Sequence, residues 1–253
     1  MPPARPTEWF ENEDFWRSTY PFMFPPSRLD GTPAEVTSLL RLAKPRGKTV
    51  LDLCSGPGRF AVELARRGFR VTGVDRTRFL MNKARARARA ARVDVEWVLS
   101  DMRDFLRPGA YHLALSLFTS FGYFDDKAED LGVLRNLHAS LRPGGVLVME
   151  LMSKERLARI FQPTTSQRLP GGGWLIERHA IFDDWTRIRN EWILIRRGRS
   201  RAWTFHHTVY SGQELRTLLE SAGFGDVSLY GSLQGGAYGT EAARLVAVAR
   251  KAR

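Results

Sequence analysis

The sequence predicts an α/β protein built on an open, doubly wound parallel sheet, and three features predict it. Apolar runs alternate with amphipathic segments from residue 48 to residue 151. The first run, Val50-Leu51-Asp52-Leu53-Cys54, leads into the two-glycine turn Ser55-Gly56-Pro57-Gly58 and then a helix start at Arg59-Phe60. Glycines there let the chain turn sharply and let a flat, polar ligand lie against the main chain. Lastly, Leu245-Val246-Ala247-Val248-Ala249 is an apolar run suited to a final sheet strand.

The elements follow in order. Residues 1–44 are rich in aromatics (Trp9, Phe10, Phe15, Trp16, Tyr20, Phe22 and Phe24), and Pro21, Pro25 and Pro26 rule out one long helix. A helix with apolar positions Val36, Leu39, Leu40 and Leu42 follows Pro33 and stops at Pro45–Gly47. In the core, 45–151, the second strand is Val71–Asp75, the third Val95–Met102, the fourth Tyr111–Phe118, and the fifth follows the Gly144-Gly145 turn to Glu150. Between the second and third, Leu80, Ala84, Ala88 and Ala91 make a sheet-facing stripe beside a solvated row of Arg78, Arg85, Arg89 and Arg92. Segment 152–210 breaks the rhythm: a helix over 154–161 precedes three antiparallel strands at 174–183, 187–197 and 200–210. Arg187, Arg189, Glu191, Ile193 and Ile195 share one face of the middle strand, and Ile188, Asn190, Trp192 and Leu194 the other. Residues 211–253 return to the core with a helix over 212–222 and strands at 227–231 and 244–249.

Composition fits a soluble enzyme with a full core: 253 residues, 43% of them hydrophobic. No apolar run reaches about 18 residues, and Met1-Pro2-Pro3-Ala4-Arg5-Pro6 lacks a signal segment, so a cytoplasmic protein without membrane contact is expected. The net charge of +12 raises the question of nucleic acid, but the arginines are dispersed and the solvated-surface reading is preferred. The single cysteine, Cys54, has no partner for an internal disulfide and reads as a small buried thiol.

Gly56-x-Gly58-x-x-Ala61 alone also satisfies a dinucleotide fingerprint. Asp52 separates the readings, because a carboxylate before the turn repels a pyrophosphate and attracts a sulfonium and an ammonium. With Asp75, Asp101 and the Leu141–Glu150 turn and strand, Asp52-x-x-x-Gly56-x-Gly58 resembles the class I S-adenosylmethionine-dependent methyltransferases. The resemblance implies a Rossmann-like, seven-stranded sheet with a reversed last strand, an antiparallel β insertion after strand five, and an N-terminal helical lid. It implies S-adenosyl-L-methionine as cofactor, with Asp75 on the ribose, Asp101 on the adenine amino group and the backbone N–H of Met102 on an adenine ring nitrogen. Cys54, Gly56, Gly58, Arg76 and Phe118 complete that site, with Thr119 and Ser120 beside the methyl donor. Arg28 is expected to pair with the methionine carboxylate and Tyr20 to point at the transferring methyl.

Methyl transfer is an in-line displacement that needs no metal, and most of the protein's part is placing the acceptor in a dry pocket. Tyr20, Tyr123 and His206 are the catalytic candidates, chosen from a set that also holds His179, His207 and Tyr210; His112 and His138 read as structural. Phe121, Met152, Trp174, Arg178 and Trp192 are the expected acceptor contacts, with a one-residue slip of the strands able to turn any of them away. The layout is similar to aminosugar and glycine N-methyltransferases, although the former place a histidine where this chain has Tyr123. A small-molecule N or O acceptor is therefore expected. An RNA acceptor or a nonenzymatic cofactor-binding role are the alternatives.

Overall fold

The computed structural model describes residues 8–253, so the sequence reading of Met1–Pro6 lies outside the described residues. Seven strands form the main sheet: β1 (Thr49–Leu53), β2 (Arg70–Asp75), β3 (Glu96–Leu99), β4 (Tyr111–Ser116), β5 (Leu141–Leu151), β10 (Gly225–Tyr230) and β11 (Leu245–Arg250). Their spatial order is β10-β11-β5-β4-β1-β2-β3, and β11 runs antiparallel to both of its neighbours. The expected seven-stranded sheet with a reversed last strand is thus the observed one.

Both faces of this sheet are buried, which is why its strands read as nearly unbroken apolar runs. Leu51, Leu53, Ala114, Leu147, Met149 and Ala247 point into one core, completed by α6 (Lys127–Ser140) and α8 (Gly212–Ser221). Val50, Leu113, Leu115, Val146, Val148 and Val246 point into the other, completed by α3 (Thr32–Ala43) and α4 (Arg59–Arg66).

The glycine turn is held by its neighbours. Cys54, Gly56 and Gly58 have φ of 59°, 55° and 74°, so three of five consecutive residues are left-handed, a conformation that disfavours side chains. The Trp97 ring from β3 fills the space that glycine leaves at two places. A Cβ on Gly58 would lie 2.6 Å from Trp97 Cη2, and one on Gly73 would lie 2.6 Å from Trp97 Cε3. Trp97 thereby fixes the start of α4 against β2 and against α5 (Arg78–Ala91).

A second sheet is an antiparallel meander of β6 (Thr164–Arg168), β7 (Trp174–Phe182), β8 (Arg187–Arg196) and β9 (Arg199–Thr208). Its first strand was not legible, because Thr164-Thr165-Ser166-Gln167-Arg168 contains no apolar residue and pairs with β7 at the sheet's edge. The short α2 (Pro26–Asp30) was missed as well, its start hidden by two prolines. The inner face of the meander packs on α1 (Glu13–Met23): Phe15 meets Trp192, Trp203 and Phe205 at centroid distances of 5.6–5.9 Å. The insertion therefore backs the N-terminal helix, which lies against α5, and contributes no residue to the cavity lining.

The last residues of the insertion tie it to the core. Thr208 N donates to Gly122 O at 2.7 Å, and the Tyr210 hydroxyl donates to Asp130 Oδ2 at 2.7 Å beneath the Phe121 ring. Burial lifts the Asp130 carboxyl to about 6 against that hydrogen bond. Among the described residues no helix is long and apolar enough to cross a membrane.

Gly58→Ala is expected to destabilise the protein by roughly 1–3 kcal/mol through overpacking and left-handed strain. Gly56→Ala, whose Cβ would find its nearest neighbour at 3.9 Å, carries only the strain and should lose less. Urea denaturation of both, and of Gly58→Ala with Trp97→Ala, measures this; the double variant should recover part of the loss.

Candidate active site

The C-terminal ends of β1, β2 and β3 deliver three carboxylates, Asp52, Asp75 and Asp101, to one cavity of about 1150 Å³ including its mouth. Parallel strands that start in register end together, so acids spaced far apart in sequence become neighbours. The glycine turn forms the cavity's floor through Cys54, Ser55 and Gly56, and the segment after β4 forms one side through Leu117, Phe118, Thr119, Ser120 and Tyr123. The roof is N-terminal: Trp9, Phe10, Trp16, Met23 and Phe24.

Asp75 is positioned from two directions, its Oδ2 accepting from Gly56 N and its Oδ1 from Thr77 N, each at 2.8 Å. Burial raises its carboxyl above the ordinary value, with these N–H groups opposing the rise. Each oxygen keeps a lone pair for a ligand hydroxyl. Asp52 is buried more severely. Desolvation lifts it to about 7 despite the Arg59 guanidinium and the Ala61 backbone N–H, and Asp75 adds to the rise. Asp101 goes the other way: burial would raise it, but hydrogen bonds from Arg103 and the charges of Arg103 and Arg76 hold it below the usual range. Arg103 reaches both oxygens of Asp101, with Nη2 to Oδ2 at 2.8 Å, while Arg76 bridges Asp101 to Glu11 in the roof.

The wall also carries polar atoms without partners. Ser55 Oγ and Trp9 Nε1 are buried and make no hydrogen bond among the described residues, Ser55 Oγ lying toward Gly73. Burial pushes the Tyr123 phenol up, with Cys54 next in effect, and pushes the Cys54 thiol well above its ordinary value. Neither ionises near neutrality. Among the described residues no three His, Cys, Asp or Glu side chains are grouped to hold a metal ion.

Of the expected site residues, the cavity brings together Asp52, Cys54, Gly56, Asp75, Arg76, Asp101, Met102, Phe118 and Tyr123. The others lie elsewhere. Gly58 serves packing behind the turn, as described above. Tyr20 faces α5, edge-on to Phe79 at 5.7 Å and under Lys83 at 5.2 Å, because the wall-facing side of α1 is taken by Trp16 and Met23. Arg28 stacks at 4.4 Å on the Phe118 ring and donates to Met23 O, outside the wall. Phe121 is 1% exposed in the core, and Met152, just past β5, does not reach the cavity lining.

Register explains the remaining corrections. Trp174 pairs with Ile195, Arg178 with Glu191 and His206 with Arg189, all on the outer face of the meander, where Trp174 is 47% exposed. Trp192 is on the inner face but is packed against Phe15 and Phe22. His207, not His206, points inward, with its ring 5.1 Å from that of Tyr123. Burial, and next the charge of Arg187, lower its pKa to about 4, so it is neutral at physiological pH. Arg59 was the principal omission among polar groups: it lines the cavity beside Asp52, is 8% exposed and pairs with Glu35. Its place directly after Gly58, at the first turn of α4, was the available signal.

Comparison with known proteins places this geometry. Residues 50–145 match the family model described as a methyltransferase domain. A cypemycin N-terminal methyltransferase from Streptomyces sp. is 29% identical over 126 residues, 50% of this chain and 51% of that protein. The chain spans about half the length of the curated relatives it matches. Among solved structures, the CcbJ methyltransferase of Streptomyces caelestis superposes with a TM-score of 0.81 at 21% identity, covering 99% of this chain and 100% of that one. S-adenosylmethionine-bound CalS10, an amino pentose methyltransferase from Micromonospora echinaspora, gives 0.68 at 21% identity, covering 98% and 100%. The fold is that of the class I S-adenosylmethionine-dependent methyltransferases.

Asp52 makes the empty protein pH-sensitive. Its folded-state value lies above that of the unfolded chain, so its contribution to stability is intact below about pH 4 and is lost as pH rises through about 7. Asp52→Asn should raise the melting temperature of the ligand-free protein near about pH 8 and change it little near about pH 4. Thermal unfolding at the two pH values checks this.

Proposed function

We propose that the methyltransferase domain described above binds S-adenosyl-L-methionine and transfers its methyl group to an N or O atom of a small molecule. One observation carries the reading: three carboxylates converge on a glycine turn that in a dinucleotide-binding protein would hold pyrophosphate. The residues suit the cofactor by chemistry. Asp75 offers a lone pair on each oxygen to the ribose hydroxyls, and Asp52 beside Arg59 complements an ammonium and a carboxylate, so Arg59 takes the place first given to Arg28. Asp101 and Met102 border the adenine end. What the bound cofactor supplies is an electrophilic methyl group on sulfur; positioning falls to the chain.

Positioning dominates because the wall offers no strong base at neutral pH. Tyr123 stays protonated and is a hydrogen-bonding group for the acceptor, and His207 behind it is neutral but weakly basic. The acceptor side is bounded by Phe118, Thr119, Ser120 and Tyr123 under a roof of five apolar side chains, which excludes water from the reacting atoms. The sugar N-methyltransferases among the structural neighbours support a small-molecule acceptor. An RNA acceptor is the second reading, favoured by exposed Arg78, Lys83, Arg85, Arg89 and Arg92 on α5. Salt-dependent retention of RNA on a gel would support it.

Calorimetric titration tests the cofactor. S-adenosylmethionine should bind more tightly than a nicotinamide dinucleotide, and the reverse order would overturn the reading. Losing charge-assisted hydrogen bonds costs roughly 1.5–3 kcal/mol each, so Asp75→Ala should weaken binding at least about tenfold with the fold intact. Affinity should also climb as pH rises toward about 7, where Asp52 ionises, and Asp52→Asn should flatten that rise.

Once an acceptor is found by release of S-adenosylhomocysteine, Tyr123→Phe should lower kcat or raise KM for it with little change in cofactor affinity. His206→Ala, on the outer face, should change neither. Steady-state kinetics over both substrates separates the two.

A further inference from the structure

Four guanidiniums gather about Phe118, and of the four Arg59 alone lines the cavity. Arg28 lies 4.4 Å from the Phe118 ring centroid, Arg59 5.8 Å and Arg244 6.0 Å. Arg156, on α7 (Lys154–Ile160), is the fourth: burial first, and then the charge of Arg244, depresses its pKa. Arg28 is depressed in the same way, by burial and then by Arg59 and Arg244. These groups come from four separate elements, and like charges brought together out of water repel one another.

The carboxylates among them do not balance the charge. Glu35 pairs with Arg59, and Glu150, which accepts from Phe118 N at 3.2 Å, stands 3.8 Å from Arg244. Asp52 stands by Arg59 as a third carboxylate, so the four guanidiniums outnumber the acids by one. Neither Arg28 nor Arg156 has a carboxylate partner among the described residues, and Arg156 Nε is buried without any hydrogen bond. Guanidinium forks left open in a partly desolvated place are matched by oxyanions, which take two parallel N–H donors at once.

Resting on the cofactor reading above, we propose that Arg28, Arg156 and Arg244 form a subsite for an oxyanion, a phosphate ester or a carboxylate, carried by the methyl acceptor. The position suits it. Phe118 lines the cavity and also bears the guanidiniums, so an acceptor held at its acidic end by the arginines presents its other end to Thr119, Ser120 and Tyr123. Glu150 links the two: one of its oxygens accepts from the backbone N–H of Phe118, which has φ of 59°, and the other faces Arg244. A neutral or cationic acceptor would leave the arginine repulsion unrelieved.

Binding of inorganic phosphate and of malonate to the full chain, measured calorimetrically at low salt, tests the subsite without turnover. At least one should bind, and which one tells the acidic group. Arg156→Gln and Arg244→Gln should each weaken that anion at least about tenfold, the loss of a charge-assisted hydrogen bond, while S-adenosylmethionine affinity stays within about twofold. Arg85→Gln, on the solvated face of α5, should leave anion binding unchanged, and thermal unfolding confirms that each variant folds. The proposal is overturned if neither anion binds, if the two variants bind it as well as the parent does, or if they lose the cofactor instead. Failure of S-adenosylmethionine to bind the parent would instead overturn the cofactor reading, a result read in a separate titration.

Discussion

The hydrogen bonds that Asp75 accepts from Gly56 N and Thr77 N are the constraint on which the site depends. A left-handed turn of three residues is strained, and a carboxylate at the end of the neighbouring strand holds its central amide in place. That carboxylate is itself costly to bury, and the two amides are what make its burial tolerable. With Trp97 packed behind Gly58 and Gly73, the turn has support on both sides. Cys54, Ser55 and Gly56 thus form a floor braced from two sides. Asp52 inherits its position from the same arrangement, one strand over.

The second dependence runs through the insertion. Tyr123 reaches the cavity because the Phe121–Tyr123 stretch is pinned from behind, by Thr208 N on Gly122 O and by Tyr210 on Asp130. Those partners sit at the end of β9, more than eighty residues later in the chain. A Cβ on Gly122 would lie 2.9 Å from Thr208 O, so the loop and the strand meet as closely as backbone allows. The meander thus acts on the site twice without lining it: it fixes the loop that carries Tyr123, and it backs α1 through Phe15.

What was legible in the sequence follows from how local each signal is. Strand ends are local: Asp75 and Asp101 close apolar runs and Asp52 lies near the end of one, while their convergence on one ligand was what the family resemblance implied. Side-chain direction in the meander is not local. His206 and His207 differ by one position, and only the pairing of Ile188 with His207 decides which of them faces Tyr123. The same holds for Tyr20, since Trp16, Tyr20 and Met23 share a helix whose rotation is set by Phe15 under the distant β8 and β9. The arginine gathering at Phe118 was invisible for the same reason, being assembled from α2, α4, α7 and the start of β11.

The roof raises a question of energetics, because the same segment that keeps the site dry also covers it. Its ionic ties include Arg76 to Glu11, Arg103 to Glu8 and Arg201 to Asp14, and the last pair is more than half exposed on both sides. An exposed pair of this kind contributes about 0–1 kcal/mol, so Arg201 and Asp14 add little to holding the roof in place. The aromatic contacts are of another order. Trp9 stacks on Phe205 at 4.6 Å and meets Phe15, Trp16 and Tyr123 within 5.9 Å. Its indole N–H is buried without a hydrogen-bond partner among the described residues, so aromatic packing and not hydrogen bonding holds the ring in place.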